Sequence, residues 1–161
     1  MSRAVFPGSF DPVTVGHMDL LHRAAGMFDE VVVGVLCNAA KQPLCTVDER
    51  VALLEQLVQD MPGVSVQAFE GLLIDFVKKN EACAVIRGLR TAADFEYELP
   101  LAQTNRRLYE GADTVFLATA PEHSYISSSG VKELLHFGGS IQGMVPDIVE
   151  EYLAHRSKTG K

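Results

Sequence analysis

The sequence predicts an α/β fold, a doubly wound sheet of five parallel strands with helices on both faces. Three observations carry this. Short β-branched runs alternate with segments of helical period, and the run EVVVGVL at 30–36 is apolar on both faces, as a central parallel strand must be. The intervals between runs are long enough for helical crossovers, which parallel strands require.

The first strand is expected at 4–6, followed by a helix over 16–28 in which His17, Leu21, Ala24 and Phe28 share one face. The second strand is 30–36. A helix over 47–59 carries Val47, Val51, Leu54 and Val58 on one face, and Thr46 with Glu49 forms a capping box ahead of it. Then come a strand at 64–69, a helix over 72–80, a strand at 84–86 and a helix over 92–109, where Pro100 should introduce a kink. A fifth strand at 114–118 precedes helices over 128–137 and 146–155. The last opens on Pro146 and Asp147, good helix-start residues, and aligns Ile148, Val149, Tyr152 and Leu153. No repeat or linker divides the 161 residues, so a single domain over 1–161 is expected, with 157–161 a frayed polar tail.

Fourteen Lys and Arg against 21 Asp and Glu leave a net charge of −7, which disfavours a nucleic-acid partner. An anionic small ligand must then be held by a few basic side chains focused in a cleft. Cys37, Cys45 and Cys83 are odd in number, widely spaced and without a CxxC pair or a nearby His cluster, so buried or half-buried free thiols are expected and no metal site is called. No apolar run reaches membrane-spanning length and no leader pattern is visible; the expectation is a cytoplasmic protein with no membrane partner.

In doubly wound sheets ligands bind beyond the carboxyl ends of the strands, where the strand order reverses. The loops to read are therefore 7–15, 37–46, 70–72, 87–91 and 119–127. The first, PGSFDPVTV ahead of Gly16-His17, has neither GxGxxG nor GxxxxGK[ST], which excludes those two phosphate cradles and speaks against a dehydrogenase. Gly8 permits close backbone approach, Ser9 offers a hydroxyl and an N–H, and Gly16 leaves room at the helix start. His17, facing inward there, is either a satisfied core histidine or a neutral ring donating one hydrogen bond to a phosphate oxygen. Arg87 and Arg90 flank Gly88 at a strand end, an arrangement suited to anions. The cluster Ser127-Ser128-Ser129 is either an N-cap with surplus hydroxyls or a second anion site.

The start GSFDPxTxGH and the later ISSS-V-K-E element together resemble the phosphopantetheine adenylyltransferase family of the HxGH nucleotidyltransferase superfamily, with Thr14 in the first position of the tetrad. The likeness continues through Asn38 and Lys41, Asp48-Glu49-Arg50, Gly71-Leu72-Leu73 with Asp75-Phe76, Arg87-Gly88-Leu89-Arg90, Asp94-Phe95-Glu96-Tyr97-Glu98 and residues 126–133. It spans roughly residues 3–155. Pro100 and Cys45 depart from the family pattern.

The resemblance implies a Rossmann-like nucleotidyltransferase that moves the adenylyl group of ATP reversibly onto 4′-phosphopantetheine, giving dephospho-coenzyme A and pyrophosphate. It implies catalytic roles for His17, Lys41 and Arg90. ATP would be held by Ser9, Phe10, His17, Gly88, Leu89, Arg90 and Glu98, and by Glu122, His123, Ser124, Tyr125, Ile126, Ser127 and Ser128. Ser9, Lys41, Leu73 and Arg87 would bind the acceptor. It also implies Mg²⁺ as the cofactor, a homohexamer built as a dimer of trimers, and feedback inhibition by coenzyme A. A nicotinamide mononucleotide adenylyltransferase, or a catalytically silent nucleotide-binding domain on the same fold, are the alternative readings.

Overall fold

The computed structural model of the protein describes residues 1–38 and 42–158. Five strands alternate with helices in chain order: β1 (Arg3–Gly8), α1 (Val15–Ala25), β2 (Glu30–Leu36), α2 (Val47–Val58), β3 (Val64–Phe69), α3 (Leu73–Lys79), β4 (Ala84–Leu89), α4 (Ala92–Leu108) and β5 (Asp113–Ala118). A short 3₁₀ turn (Pro121–His123), α5 (Ser128–His136) and α6 (Asp147–Lys158) follow. The strands pair in parallel in the order β3-β2-β1-β4-β5, so the order reverses between β1 and β4. That junction is where a doubly wound sheet opens a crevice.

Alternation along the strands feeds two cores. Ala4 and Phe6 of β1, Val31, Val33 and Val35 of β2, and Ala84 and Ile86 of β4 point to one face, where Leu20, Leu21 and Ala24 of α1, Leu54 and Val58 of α2, Val131 of α5 and Val149 and Leu153 of α6 pack. Val5, Val32 and Val85 point to the other face and meet Ile74, Phe76 and Val77 of α3. This is the period-2 rule of a sheet covered on both faces. The capping box at Thr46 and Glu49 forms as expected, with the Glu49 carboxylate accepting from the Thr46 N–H at 2.7 Å. The same carboxyl accepts from the Tyr152 hydroxyl at 2.5 Å and from Arg156 at 2.8 Å, which fastens α6 to α2.

Three expectations need correction. β1 and β4 run on to Gly8 and Leu89, because Arg87, Gly88 and Leu89 continue the ladder opposite Phe116, Leu117 and Ala118; backbone pairing does not stop where apolar side chains do. The fourth helix is the single element expected, from Ala92 to Leu108 with Pro100 inside it, and the Glu96 carbonyl that loses its donor belongs to an exposed residue. Ser157 and Lys158 continue α6, the Ser157 hydroxyl donating to the Ala154 carbonyl at 2.9 Å, while 159–161 lie outside the described residues. Of the free thiols, Cys45 is buried and Cys37 half-buried, but Cys83 is exposed, its sulfur donating to the Arg3 carbonyl.

Candidate active site

A cleft of about 330 Å³ opens above the β1–β4 junction. Its lining includes His17 from α1, Arg87 and Gly88 from β4, Arg90 just beyond, Glu98 from α4, and His123, Ile126, Ser127 and Ser128 from the chain between β5 and α5. Each of these was singled out by sequence reading, and the strand order brings them together. β1 and β5 are not neighbours, since β4 lies between them. The chain leaving β5 crosses back, so that the Ser128 hydroxyl donates to the Pro12 carbonyl at 2.7 Å and seats the start of α5 on the β1–α1 loop.

His17 sits on the third residue of α1. Thr14 is the N-cap and takes the His17 N–H on its hydroxyl oxygen, while the Thr14 N–H donates to Nδ1 of the His17 ring at 3.0 Å. An Nδ1 that accepts a backbone N–H carries no proton, so the neutral ring bears its proton on Nε2. Burial, with the positive charges of Arg90 and Arg87 nearby, lowers the His17 pKa from 6.5 to about 4. The ring is thus a neutral single donor at physiological pH. The Phe10 ring packs against it edge-on at 5.1 Å between centroids, and Phe10 itself is buried in a left-handed conformation with φ 49°. Gly8 makes room for that ring, since a Cβ there would stand 3.1 Å from Phe10 Cζ.

The two arginines are held by carboxylates one turn apart on α4. Arg87 makes a two-pronged pair with Glu98, Nε to Oε2 at 2.8 Å and Nη2 to Oε1 at 2.5 Å, and its Nη1 donates to the Pro7 carbonyl at 3.2 Å. Arg90 donates its backbone N–H to Asp94 at 2.8 Å and its Nε at 3.1 Å, and its Nη1 reaches toward the Ile126 carbonyl at 3.5 Å. Partial burial pushes the Asp94 carboxyl up, but the Arg90 guanidinium and N–H outweigh it and leave the group below its usual range. Gly88 lies between the arginines, and a Cβ there would fall 2.3 Å from Leu20 Cδ1, so a larger residue would force the buried Leu20 side chain of α1 to move.

The remaining predicted residues are placed as follows. Ser9 is exposed on the β1–α1 loop, and Leu89 ends β4 half-buried. Glu122 lies on the 3₁₀ turn, Ser124 caps it with its hydroxyl on the Pro121 carbonyl, and Tyr125 is exposed; none of the three lines the cleft. Leu73 begins α3 and packs half-buried on the second core. Lys41 lies outside the described residues.

Sequence reading missed Thr14 as the residue that fixes the His17 tautomer, although a Thr three residues ahead of a helix-start side chain with an acceptor is a legible capping pattern. It also missed Asp94 as the holder of Arg90, for which the signal was the i,i+4 spacing. Ser129, also on the cleft lining, belongs to the serine cluster that the sequence pointed to.

What this arrangement can do follows from its charges. Two guanidinium groups, a neutral N–H donor and a helix start converge on one cavity, while both carboxylates there are spent on the arginines. It can hold a polyanion and stabilise charge growing on it.

Residues 5–134 match the cytidylyltransferase-like family. A phosphopantetheine adenylyltransferase of Lachnoclostridium phytofermentans is 53% identical over 163 residues, covering 98% of this chain and all of that protein. One from Caldanaerobacter subterraneus is 48% identical over 98% of this chain and 99% of the relative. One from Synechocystis is 48% identical over 89% of this chain and 90% of the relative. Among solved structures, a Vibrio parahaemolyticus protein described as a nicotinate-nucleotide adenylyltransferase superposes with a TM-score of 0.71 over 96% of this chain and 93% of that one, at 17% identity, a likeness of fold. With identities near one half over almost the whole chain, on a parallel sheet whose strand order reverses at a cleft lined by two arginines, the chain belongs to the phosphopantetheine adenylyltransferase family.

Proposed function

We propose that this protein transfers the adenylyl group of ATP to the phosphate of 4′-phosphopantetheine, forming dephospho-coenzyme A and pyrophosphate. The observation that carries the reading is the neutral His17 ring, its Nε2–H turned free by the Thr14 contact to Nδ1, in one cleft with Arg87 and Arg90. A phosphate oxygen of the acceptor attacks the α-phosphorus of ATP; that bond forms as the bond to the α,β-bridging oxygen breaks, and pyrophosphate leaves with the electron pair. The attacking phosphate needs no general base, since it is already ionised. Catalysis then consists of alignment and of neutralising charge.

His17 Nε2–H donates to an α-phosphate oxygen, and its hydrogen bond strengthens as charge builds there. Arg90 draws the β- and γ-phosphates, helped by the N–H groups of Ser128 and Ser129 in the first turn of α5, the ones that Ser127 does not cap. Main-chain groups of His123, Ile126 and Ser127, which line the cleft, border the adenine, Ser9 and Phe10 offer loop N–H groups, and Gly88 and Leu89 bring the β4 end close. Arg87 and Lys41 hold the acceptor phosphate, Leu73 borders its apolar arm, and Glu98 keeps Arg87 aimed while reaching the nucleoside side of the cleft. Mg²⁺ would enter with ATP as part of the substrate, held by phosphate oxygens and water because the two carboxylates lining the cleft are engaged by arginines, and would offset charge on the phosphates.

A cytoplasmic location fits three unpaired cysteines, and no helix among the described residues is long and apolar enough to cross a membrane. Assembly into a hexamer is supported by Phe95, Tyr97, Leu99, Leu101 and Leu108, apolar side chains that one α4 leaves exposed. The whole chain serves as one catalytic domain, and coenzyme A, which shares the product's adenylyl and pantetheine parts, inhibits by occupying this cleft.

The test is to incubate the purified protein with Mg²⁺, ATP and 4′-phosphopantetheine, and in parallel with nicotinamide mononucleotide, following pyrophosphate release and weighing the product. Dephospho-coenzyme A from the first mixture and nothing from the second is expected. Product from the mononucleotide alone, or ATP binding with no turnover, refutes the reading.

A further inference from the structure

Two buried charges take no part in the mechanism above. Asp11 is 4% exposed and Arg50 5%, and neither lines the cleft. Taking an ion out of water costs several kcal/mol unless its hydrogen-bonding capacity is met. Here it is met by main-chain groups of two loops. Asp11, on the β1–α1 loop, accepts the N–H of Leu44 and of Cys45, each at 2.8 Å. Arg50, in the first turn of α2, donates Nη1 to the Ser9 carbonyl at 2.7 Å and to the Leu36 carbonyl at 3.1 Å, and Nε to the carbonyls of Cys45 at 3.1 Å and Thr46 at 3.3 Å.

The contacts are reciprocal. Leu36 begins the β2–α2 connection and Leu44 to Thr46 end it, so both of its ends are fastened to the β1–α1 loop, once by an anion reaching out and once by a cation reaching back. Lys132 from α5 adds a weaker tie, with Nζ 3.4 Å from the outer Asp11 oxygen. A folded core does not need such an arrangement, because an apolar pair of similar volume would fill the space without desolvating two charges. What ions do better is fix direction: a carboxylate with two N–H donors and a guanidinium fork tolerate little displacement.

We propose that Asp11 and Arg50 are positioning residues that set the distance between the β2–α2 loop and His17, and so the alignment of the acceptor phosphate with the α-phosphorus. The proposal rests on the function read above, in which the β2–α2 loop carries the acceptor. Because in-line attack requires reacting atoms about 3–3.5 Å apart, a displacement of roughly 1 Å can cost about 100-fold in rate. ATP keeps its contacts from the β4 and α5 side, Arg90 and the start of α5, so its affinity should register the change far less than the acceptor's.

The experiment compares Asp11→Asn, Arg50→Lys and Arg50→Met with the wild-type chain, measuring kcat, the KM for 4′-phosphopantetheine, the Kd for ATP and the melting temperature. Expected is a fall of roughly 10- to 100-fold in kcat/KM for the acceptor, with the ATP Kd within about threefold of wild type. Arg50→Lys, which keeps the charge and loses the fork, should fall between wild type and Arg50→Met, and it decides the matter if Arg50→Met does not fold. Acceptor kcat/KM within twofold of wild type in Asp11→Asn and Arg50→Lys overturns the proposal. So does a parallel loss of ATP affinity and melting temperature, which marks a role in stability alone. Absence of dephospho-coenzyme A from the wild-type chain is a different failure, that of the function reading on which the proposal stands.

Discussion

The helices α1 and α4 deliver groups to the same cleft by opposite means. α1 buries Leu20, Leu21 and Ala24 in the first core and carries His17 on a capped first turn, so its functional atom is located by apolar packing. In α4 the one buried residue is Glu98, an anion, while Tyr97 is 69% exposed and Leu99, Leu101 and Leu108 also face outward. Its contribution to the site is electrostatic: Glu98 and Asp94 aim Arg87 and Arg90. The rigid side of the cleft presents a neutral donor and the charge-held side presents the cations. Packing is insensitive to salt, whereas partly exposed ion pairs are screened by it. The cationic side should therefore be the one that responds to ionic strength and to a bound polyanion.

The sharpest way to test the α1 side is His17→Ala. Loss of one preorganised donor should lower kcat roughly 100- to 1,000-fold, about 3–4 kcal/mol, with ATP affinity within a few-fold, as steady-state kinetics and direct ATP titration would register. A raised KM with kcat intact would remove the role. Leu21→Ala attacks the packing that holds α1: a fully buried leucine cut to alanine should cost about 3 kcal/mol and lower the melting temperature by roughly 10 °C, with kcat of the folded fraction largely kept.

On the α4 side, Glu98→Gln should have a smaller and different effect. The Arg87 guanidinium keeps its contact to the Pro7 carbonyl but loses the two-pronged anion, and since Arg87 is partly exposed the stability cost should stay near 1–2 kcal/mol. The acceptor KM should rise about tenfold, and added salt, which weakens the wild-type pair, should narrow the difference. An unchanged acceptor KM would detach Glu98 from Arg87's function.

The pH dependence of stability separates the two regions again. His17 binds its proton at about pH 4 when folded and near 6.5 when unfolded, so the unfolded chain holds more protons between those values and stability falls as pH drops through that window. Glu49, away from the cleft, is lowered from 4.5 to about 2, first by the Tyr152 hydroxyl and further by the Thr46 N–H and Arg156; its contribution is present above pH 4.5 and is lost from there down to about 2. A melting curve against pH should decline in two stages, and His17→Ala should abolish the upper one alone.

Much of this was legible in the sequence, and where it was not the reason is physical. β2 and β3 were placed to the residue because β-branched runs bounded by turns have few competing readings. The ends of β1 and β4 were not, because Pro7, Gly8 and Arg87 look like loop by composition while the ladder that includes them is made by neighbouring strands. For the site, His17, Arg87, Arg90 and the serine cluster could be named from their places at strand and helix ends. Their partners could not. That Glu98 is buried on Arg87, and that Asp11 and Arg50 bind the main chain of two loops, depends on contacts between residues 11 to 41 positions apart, which no local spacing encodes. The serine cluster shows the limit from the other side: of the two readings its spacing allowed, N-cap or anion site, Ser127 takes the first by capping its own helix, and Ser128 holds Pro12, so two of the three hydroxyls are used within the fold.

His17 acts as a neutral donor whose proton sits on Nε2 because Thr14 occupies Nδ1. The most direct measurement is the ¹H–¹⁵N correlation spectrum of the imidazole ring in the free protein across pH 3.5–8. One ring, absent in His17→Ala, should stay in the Nε2–H form from pH 8 to below 5.5 and gain its second proton with a midpoint of about 4. A His17 ring that titrates near 6.5, or that holds its proton on Nδ1 at neutral pH, would contradict it.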